Sequence, residues 1–344
     1  MVTPLKIPNV GTSPDGGLLG LTVFNNSLYA AWKGVGNDQG IYWSNVSFTN
    51  WKDWENASWA AQQKIPKVGT SVGPALAVYQ NKLYGAWKGA GGDEGIYWSA
   101  FDGNSWSAFG APQAKIPSVG TTVGPSLAVY KNKLYAAWKG IKGDDGIYWS
   151  AFDGTAWSAF GPAQAKVPNV GTNWAPSIAA IESNQEDKLY AAWAGINNEG
   201  IYWSTFDGTN WAAQQKIPYD QGVAGPSIGV PLLPTSVWAF WLQYVGAPDG
   251  GPGSTGGSSG VGGIPDTGSG QAYPIGVYCQ SYNSVLSGGD GKWDPQDPIP
   301  IPGPLSVPAI ANYLGIWFGI WGGPVEGNPP YYGINWGPLL ELTN

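Results

Sequence analysis

The chain has 344 residues, with 53 Gly, 21 Trp, no His and a formal net charge of −7, and all 16 of its basic residues are lysine. Without histidine there is no Ser-His-Asp triad, no Cys-His pair and no imidazole metal ligand. Without arginine there is no guanidinium clamp for carboxylate or phosphate. The acidic balance also excludes nucleic acid, whose backbone needs clustered cations.

Aromatic residues (14%) outnumber charged ones (11%), which argues for a folded chain with large rings to bury. Cys279 stands alone, so no intrachain disulfide forms. The N-terminal MVTPLKIPNVGTSPDGG lacks the basic start and apolar run of a signal peptide, and no apolar stretch reaches the ~18 residues of a membrane span. A cytoplasmic or leaderless-secreted protein without membrane insertion is expected. The oligomeric state has no signature in the sequence.

In chain order, Lys6-Ile7-Pro8 opens a series of K-[IV]-P markers that continues at Lys64, Lys115, Lys166 and Lys216, at intervals of roughly 50 residues. A degenerate sixth marker, Ile299-Pro300, follows an interval roughly 30 residues longer, and the surplus is a Gly/Ser-rich insertion at 246–270 with no means of forming a core. One domain of six units is predicted, approximately 9–66, 67–117, 118–168, 169–218, 219–300, and 301–344 joined by 1–8.

The third unit shows the pattern within each. Ser126–Tyr130 is a short apolar run after Gly-Pro, Lys131-Asn132 makes a turn, and LYAAWKG follows. An acidic turn leads to IYWSAF, and Asp153-Gly154 leads to a last segment around Trp157 that ends at Lys-Val-Pro. These are four strands with turn signals at each junction. Both alternating sets in LYAAWK and IYWSAF are apolar or aromatic, as in a strand covered on both faces. Six such units predict an all-β fold, a six-bladed β-propeller of four-stranded antiparallel blades. The last unit ends without a K-[IV]-P segment while the first opens with a spare one, so the N-terminal strand is expected to join the last blade and close the ring.

Candidate function sits in the turns. The hairpin S-x-F-D-G-x-x-W (Ser99–Trp106, Ser150–Trp157, Ser204–Trp211) resembles the Asp-box of sialidase-like propellers, a structural turn. The segment W-K-G-x-x-x-[DE] places Trp32, Lys33 and Asp38, then Trp87, Lys88 and Asp93, then Trp138, Lys139 and Asp144 at matched positions. The fourth unit replaces the lysine with Ala194 and carries Glu199; in the sixth, Glu326 is the possible equivalent. In a four-stranded blade this turn lies on the same face as the inter-blade link, which contributes Thr70 and Thr121. Aromatic edges beside carboxylate, ammonium and hydroxyl groups suit a sugar, whose C–H face stacks and whose hydroxyls bond. The same groups also suit a purely structural turn, with Lys139 paired to Asp144. Trp174 replaces a valine kept at Val72 and Val123, and is a further candidate stacking residue. The acids are too few for a calcium loop of the usual spacing, leaving loosely bound calcium as the one cofactor to consider.

Tandem IYWSxFDGxxW units joined by VGTxxGPxLA links resemble the β-propeller lectins of mushrooms and bacteria, including tectonin-like, fucose-binding and N-acetylglucosamine-binding types. The resemblance covers Lys6 to Lys216 and implies sugar binding on or between blades, avidity through repeated sites, and no cofactor beyond calcium. It also implies that fucose-binding members and sialidases use arginines that this chain lacks, which directs the expectation to neutral glycans. Three readings stay open: a multivalent lectin, a protein-interaction propeller, and a glycan-degrading enzyme with a single acid pair.

Overall fold

The computed structural model describes residues 3–13, 19–158, 165–184, 186–218, 224–231, 236–244, 275–283, 292–295, 297–299, 306–324 and 332–341; the insertion 246–270 and Glu326 lie outside them.

Two-residue turns set the blades. Asn25-Asn26, Gln80-Asn81 and Lys131-Asn132 all take positive φ, between 46° and 56°. This is the left-handed pair whose twist matches two antiparallel strands, and asparagine tolerates it better than most residues. Each turn joins an inner strand (Gly20–Phe24, Ala75–Tyr79, Ser126–Tyr130) to a second strand (Ser27–Lys33, Lys82–Lys88, Lys133–Lys139). The second strand pairs in turn with a third, with Trp138 opposite Tyr148 in the third blade.

Six antiparallel sheets result. In the third blade the fourth strand is reduced to a bridge, Tyr148 opposite Lys166, flanked by Trp149 N–H to the Ala165 carbonyl (2.7 Å) and Val167 N–H to the Ile147 carbonyl (2.8 Å). In the first blade the longer connection between third and fourth strands folds as a 3-10 helix, Trp51–Asn56, capped by the Asn50 side chain. The fifth blade fills its outer position with two short strands, Lys292–Trp293 and Asp297–Ile299.

The ring closes as the spare N-terminal segment predicts. Leu5–Lys6 pairs antiparallel with the last strand, Tyr332–Glu341, Leu5 opposite Trp336 and Lys6 opposite Asn335. Ile7 N–H adds a bond to the Ile334 carbonyl (2.8 Å). The inner strands touch their neighbours around the circle, and Gly20–Phe24 meets Ala309–Tyr313 to complete it. The molecule is a six-bladed β-propeller.

Its core is divided, with one hydrophobic cluster at each of the six blade–blade interfaces. A three-ring stack recurs in four of them. Tyr from the second strand stacks on Trp from the third (Tyr29–Trp43, Tyr84–Trp98, Tyr135–Trp149, Tyr190–Trp203, centroids 5.7–6.0 Å). A ring from the next blade covers that Trp: Phe101, Phe152, Phe206 and Tyr282, at 4.9, 5.0, 4.8 and 4.7 Å. Such pairs contribute about 0.5–1.5 kcal/mol each beyond the area they bury. Tyrosine hydroxyls add ties across the same interfaces: Tyr79 donates to the Asn132 carbonyl (3.0 Å) and Tyr130 to that of Asp187 (2.9 Å), each in the following blade.

Ile7 is 3% exposed and belongs to the cluster that joins the first and last blades. Ile7→Ala should therefore lower unfolding stability by about 2–4 kcal/mol. Urea unfolding followed by tryptophan fluorescence reads this directly, and an unchanged midpoint would contradict closure through this strand.

Candidate functional site

The turns between second and third strands are closed loops built the same way in three blades. Gly34 N–H bonds the Gly40 carbonyl, Gly89 that of Gly95 and Gly140 that of Gly146, at 2.8–2.9 Å. The acid within each loop caps the following turn. Asp38, Asp93 and Asp144 each accept from a glycine N–H through Oδ1 (Gly40, Gly95, Gly146; 2.8–2.9 Å) and from a tyrosine hydroxyl through Oδ2 (Tyr42, Tyr97, Tyr148; 2.7–2.8 Å).

A lysine of the K-[IV]-P marker completes the group. Lys64, Lys115 and Lys166 lie over the rings of Tyr42, Tyr97 and Tyr148, with Nζ 5.2–5.5 Å from the centroids. Lys64 Nζ is also 3.6 Å from Asp38 Oδ1. The glycine at Gly40, Gly95 and Gly146 leaves room for this, since a Cβ there would stand 2.4–2.5 Å from the lysine Cε.

The electrostatics follow from these contacts. The Gly40 N–H, then the Tyr42 hydroxyl, hold Asp38 below the usual carboxylate range, and Gly95 and Tyr97 do the same for Asp93. Burial opposes the effect at Asp144, where the Gly146 N–H, the Tyr148 hydroxyl and two lysines still lower it. The bond to Tyr42, then the charge of Asp38, raise Lys64. The three acids, and Lys64 in the first blade, are therefore held in their charged forms. In the first blade the group is half exposed, with 49% of the Lys64 side chain and 38% of Asp38 open to solvent. A carboxylate has about four lone-pair sites, so two remain on each acid for a ligand hydroxyl.

The other residues singled out in the sequence sit elsewhere. Trp32, Trp87 and Trp138 are buried at 0–2% exposure, packed against the preceding blade. Such rings have no face to offer a ligand, so they are packing residues and not stacking platforms. Thr70 and Thr121 are fully buried. The Thr70 hydroxyl donates to the carbonyls of Val72 (2.6 Å) and Lys88 (2.8 Å), and Thr121 Oγ1 accepts from Val123 N–H (3.2 Å). Their backbones fasten the link to the blade before it, Thr70 N–H to the Gln39 carbonyl and Thr121 N–H to that of Glu94.

Lys33, Lys88 and Lys139 are 5–6% exposed and point into their own loops. Lys88 Nζ donates to Ser71 Oγ (2.8 Å) and to the carbonyls of Asp93 (3.1 Å) and Gly91 (3.3 Å); Lys33 bonds Ser13 and the carbonyls of Gly34 and Gly36 in the same way. Burial lowers the Lys88 ammonium. Lys139 does not bridge to the Asp144 carboxylate but bonds the Asp144 carbonyl (3.0 Å) and pairs with the Asp145 carboxylate (3.1 Å). These lysines tie turn to link and are remote from solvent.

In the fourth blade Ala194 fills the lysine position, and exposed Glu199 follows a single 3-10 turn, Ile196–Asn198. Among the described residues Glu199 makes no bond to Tyr202. Trp174 is half-buried and lines the axis of the ring, away from the Asp–Tyr–Lys groups. The tyrosines and marker lysines escaped the sequence reading as site residues, although the recurrence of K-[IV]-P opposite IYW was the available signal. Among the described residues no three His, Cys, Asp or Glu side chains gather to hold a metal ion, and no helix is long and apolar enough to cross a membrane.

No protein-family model matches the chain, and no curated protein does. Solved structures match its fold. A protein of unknown function from Dyadobacter fermentans is 12% identical over 98% of this chain and 100% of its own, with a TM-score of 0.59. The fucose-specific lectin of Aleuria aurantia is 12% identical over 98% of both chains at a TM-score of 0.58. The phage phi92 endosialidase is 10% identical over 99% of this chain and 69% of its own at 0.59. At these identities the likeness is one of fold, shared by a lectin and an enzyme.

The hairpin acids add a test of the electrostatics. Asp153 is held at about 2 by the Ala156 and Thr155 N–H groups and the Thr155 hydroxyl, against an ordinary 3.8. With Asp38 and Asp93 also depressed, the stability these carboxylates contribute is complete above pH 3.8 and is lost as pH falls towards 2. Melting temperature should hold steady down to about pH 4 and drop below it. A melting temperature constant through that lower range would contradict the assignment.

Proposed function

We propose that this propeller is a carbohydrate-binding protein that holds neutral glycans at equivalent shallow sites on its blades, without catalysing a reaction. The observation that carries the reading is the half-exposed Asp–Tyr–Lys group, built identically at Asp38–Tyr42–Lys64, Asp93–Tyr97–Lys115 and Asp144–Tyr148–Lys166. Each offers carboxylate acceptors, ammonium donors and an aromatic wall within one small patch, the mixture a sugar ring selects. In the fourth blade Glu199 is exposed at the matching turn, without the tyrosine bond that defines the group in the other three. The buried lysines, tryptophans and threonines named above support the turns.

Two further facts favour binding over catalysis. The group is repeated, whereas hydrolysis needs one matched acid pair. The acids are also held low and so stay charged, where a general acid must keep its proton to neutral pH. The fold likeness supports the class: a structure of the Aleuria aurantia lectin, 12% identical with a TM-score of 0.55, is a complex with alpha-methyl-L-fucoside. This chain has no arginine, so its recognition rests on carboxylate, hydroxyl and ammonium groups, and the ligand class is a neutral glycan. Weak single sites become useful through avidity, which adds about 10²–10⁴ when several engage together.

One observation favours a protein-interaction surface as the second reading. Val35, Ile141 and Ile196 occupy matching positions in these turns and are 37–49% exposed. A broad glycan array, with agglutination and inhibition by simple sugars, separates the two. The lectin reading expects binding inhibited by a monosaccharide. It also expects Tyr148→Phe and Asp144→Asn each to weaken agglutination partially, and the same change in all three blades to abolish it, each variant still folding cooperatively at neutral pH with a lower melting temperature. An array without binding, with or without calcium, overturns it.

A further inference from the structure

The axis of the ring holds a cavity of about 190 Å³, walled by the link and the first residues of the inner strand of every blade. Its wall repeats one short motif. Pro74, Pro125, Pro176, Pro226 and Pro308 face the cavity from five blades, each followed at two residues by Leu or Ile. Proline has no N–H, so this ring of backbone presents few donors to the cavity and no call for water. Among the described lining residues there is no Asp, Glu or Lys.

Three side chains bring polarity: Ser126, Ser177 and Ser227. Ser177 Oγ accepts from Ile228 N–H at 3.1 Å. Ser126 Oγ has no hydrogen-bond partner in the protein and is buried behind the wall, closed off from the cavity as well as from bulk solvent. One wall is aromatic. Trp174 stands where the link of the third blade carries Val123, and it packs against Gly225, where an added Cβ would stand 3.0 Å from the Trp174 Cβ and 2.6 Å from the Ala175 carbonyl. The glycine allows the tryptophan its place at the axis.

We propose that this axial cavity is a binding site, separate from the blade turns, for a small neutral aromatic molecule. The Trp174 indole and the proline rings supply the apolar contact that holds such a guest. The size fits: an apolar cavity of about 150 Å³ holds benzene, so this one takes a slightly larger flat ring system. A charged guest finds no counter-charge among the described lining residues, and desolvation of an unpaired ion is costly.

The test is calorimetric titration of the full chain with 1-naphthol, and in parallel with 1-naphthalenesulfonate. Saturable binding of one 1-naphthol per chain is expected, with no binding of the sulfonate. Ser126→Phe fills the cavity and Trp174→Val removes its aromatic wall, and each should weaken 1-naphthol binding about tenfold or more. Because a filling substitution can disturb folding, the unsubstituted chain gives a second readout. Nuclear Overhauser contacts should join 1-naphthol protons to the Trp174 indole. Absence of saturable binding, equal affinity for the sulfonate, folded variants that bind as the parent does, or contacts only to other tryptophans would each overturn the proposal.

Discussion

The Tyr–Trp–Phe stack between blades is the constraint on which the rest depends. A four-stranded blade of this composition is apolar on both faces and cannot stand in water by itself; each blade buries its third-strand Trp only by borrowing a ring from the next. Once neighbours must cover each other, open ends are costly. That explains why the chain takes a strand from its own N-terminus to finish its last blade, and why Ile7 belongs to the core although it stands seven residues into the sequence.

Rigid stacking also frees the loops. The interfaces take up most of the large rings, and the polar groups that remain at the turns are held by short local bonds. The buried lysine is the hub of this arrangement. Lys88 gathers the carbonyls of its own turn and the hydroxyl of the link, so the 2–3 turn of a blade and the link entering it form one unit. The Asp–Tyr–Lys group is mounted on that unit, which fixes the acid and the tyrosine without help from a ligand. Preorganisation of this kind lowers the entropy cost of binding a weakly held ligand such as a sugar.

Much of this was legible in the sequence, for reasons that can be stated residue by residue. The period of the K-[IV]-P markers fixed the blade count because each blade must repeat the same stack. The spare Lys6-Ile7-Pro8 implied closure because an outer strand was missing at the other end. The site was less legible. Trp32 and Lys33 share a motif with Asp38, and nothing in a strand that is apolar on both faces says which ring is sealed in and which is open. Lys33 looked available because lysine seldom is buried; only the fold shows the Ser13 hydroxyl and the Gly34 and Gly36 carbonyls waiting for it. The partnership of Tyr42 with Lys64 depends on strand register across a long connection, beyond what spacing conveys.

The drift of the last two blades then acquires a physical meaning. A blade must preserve its interface rings, and the fifth does so with Tyr282 and Trp293 in place of the repeated Phe and Trp pattern. It need not preserve its turn. The turn chemistry is thus free to vary from blade to blade while the ring stays intact, and the fourth blade, with Ala194 for lysine, is a midpoint of that variation. The axis behaves in the opposite way. Every blade must bring a small, donor-poor segment to the centre for six to fit, so the Pro-x-[LI] motif persists even where the turns have diverged: Pro226 and Pro308 hold the same positions as Pro125. Against that wall Trp174 stands out as a change of shape, accommodated by its packing on the cluster between the fourth and fifth blades and by Gly225 of the next link.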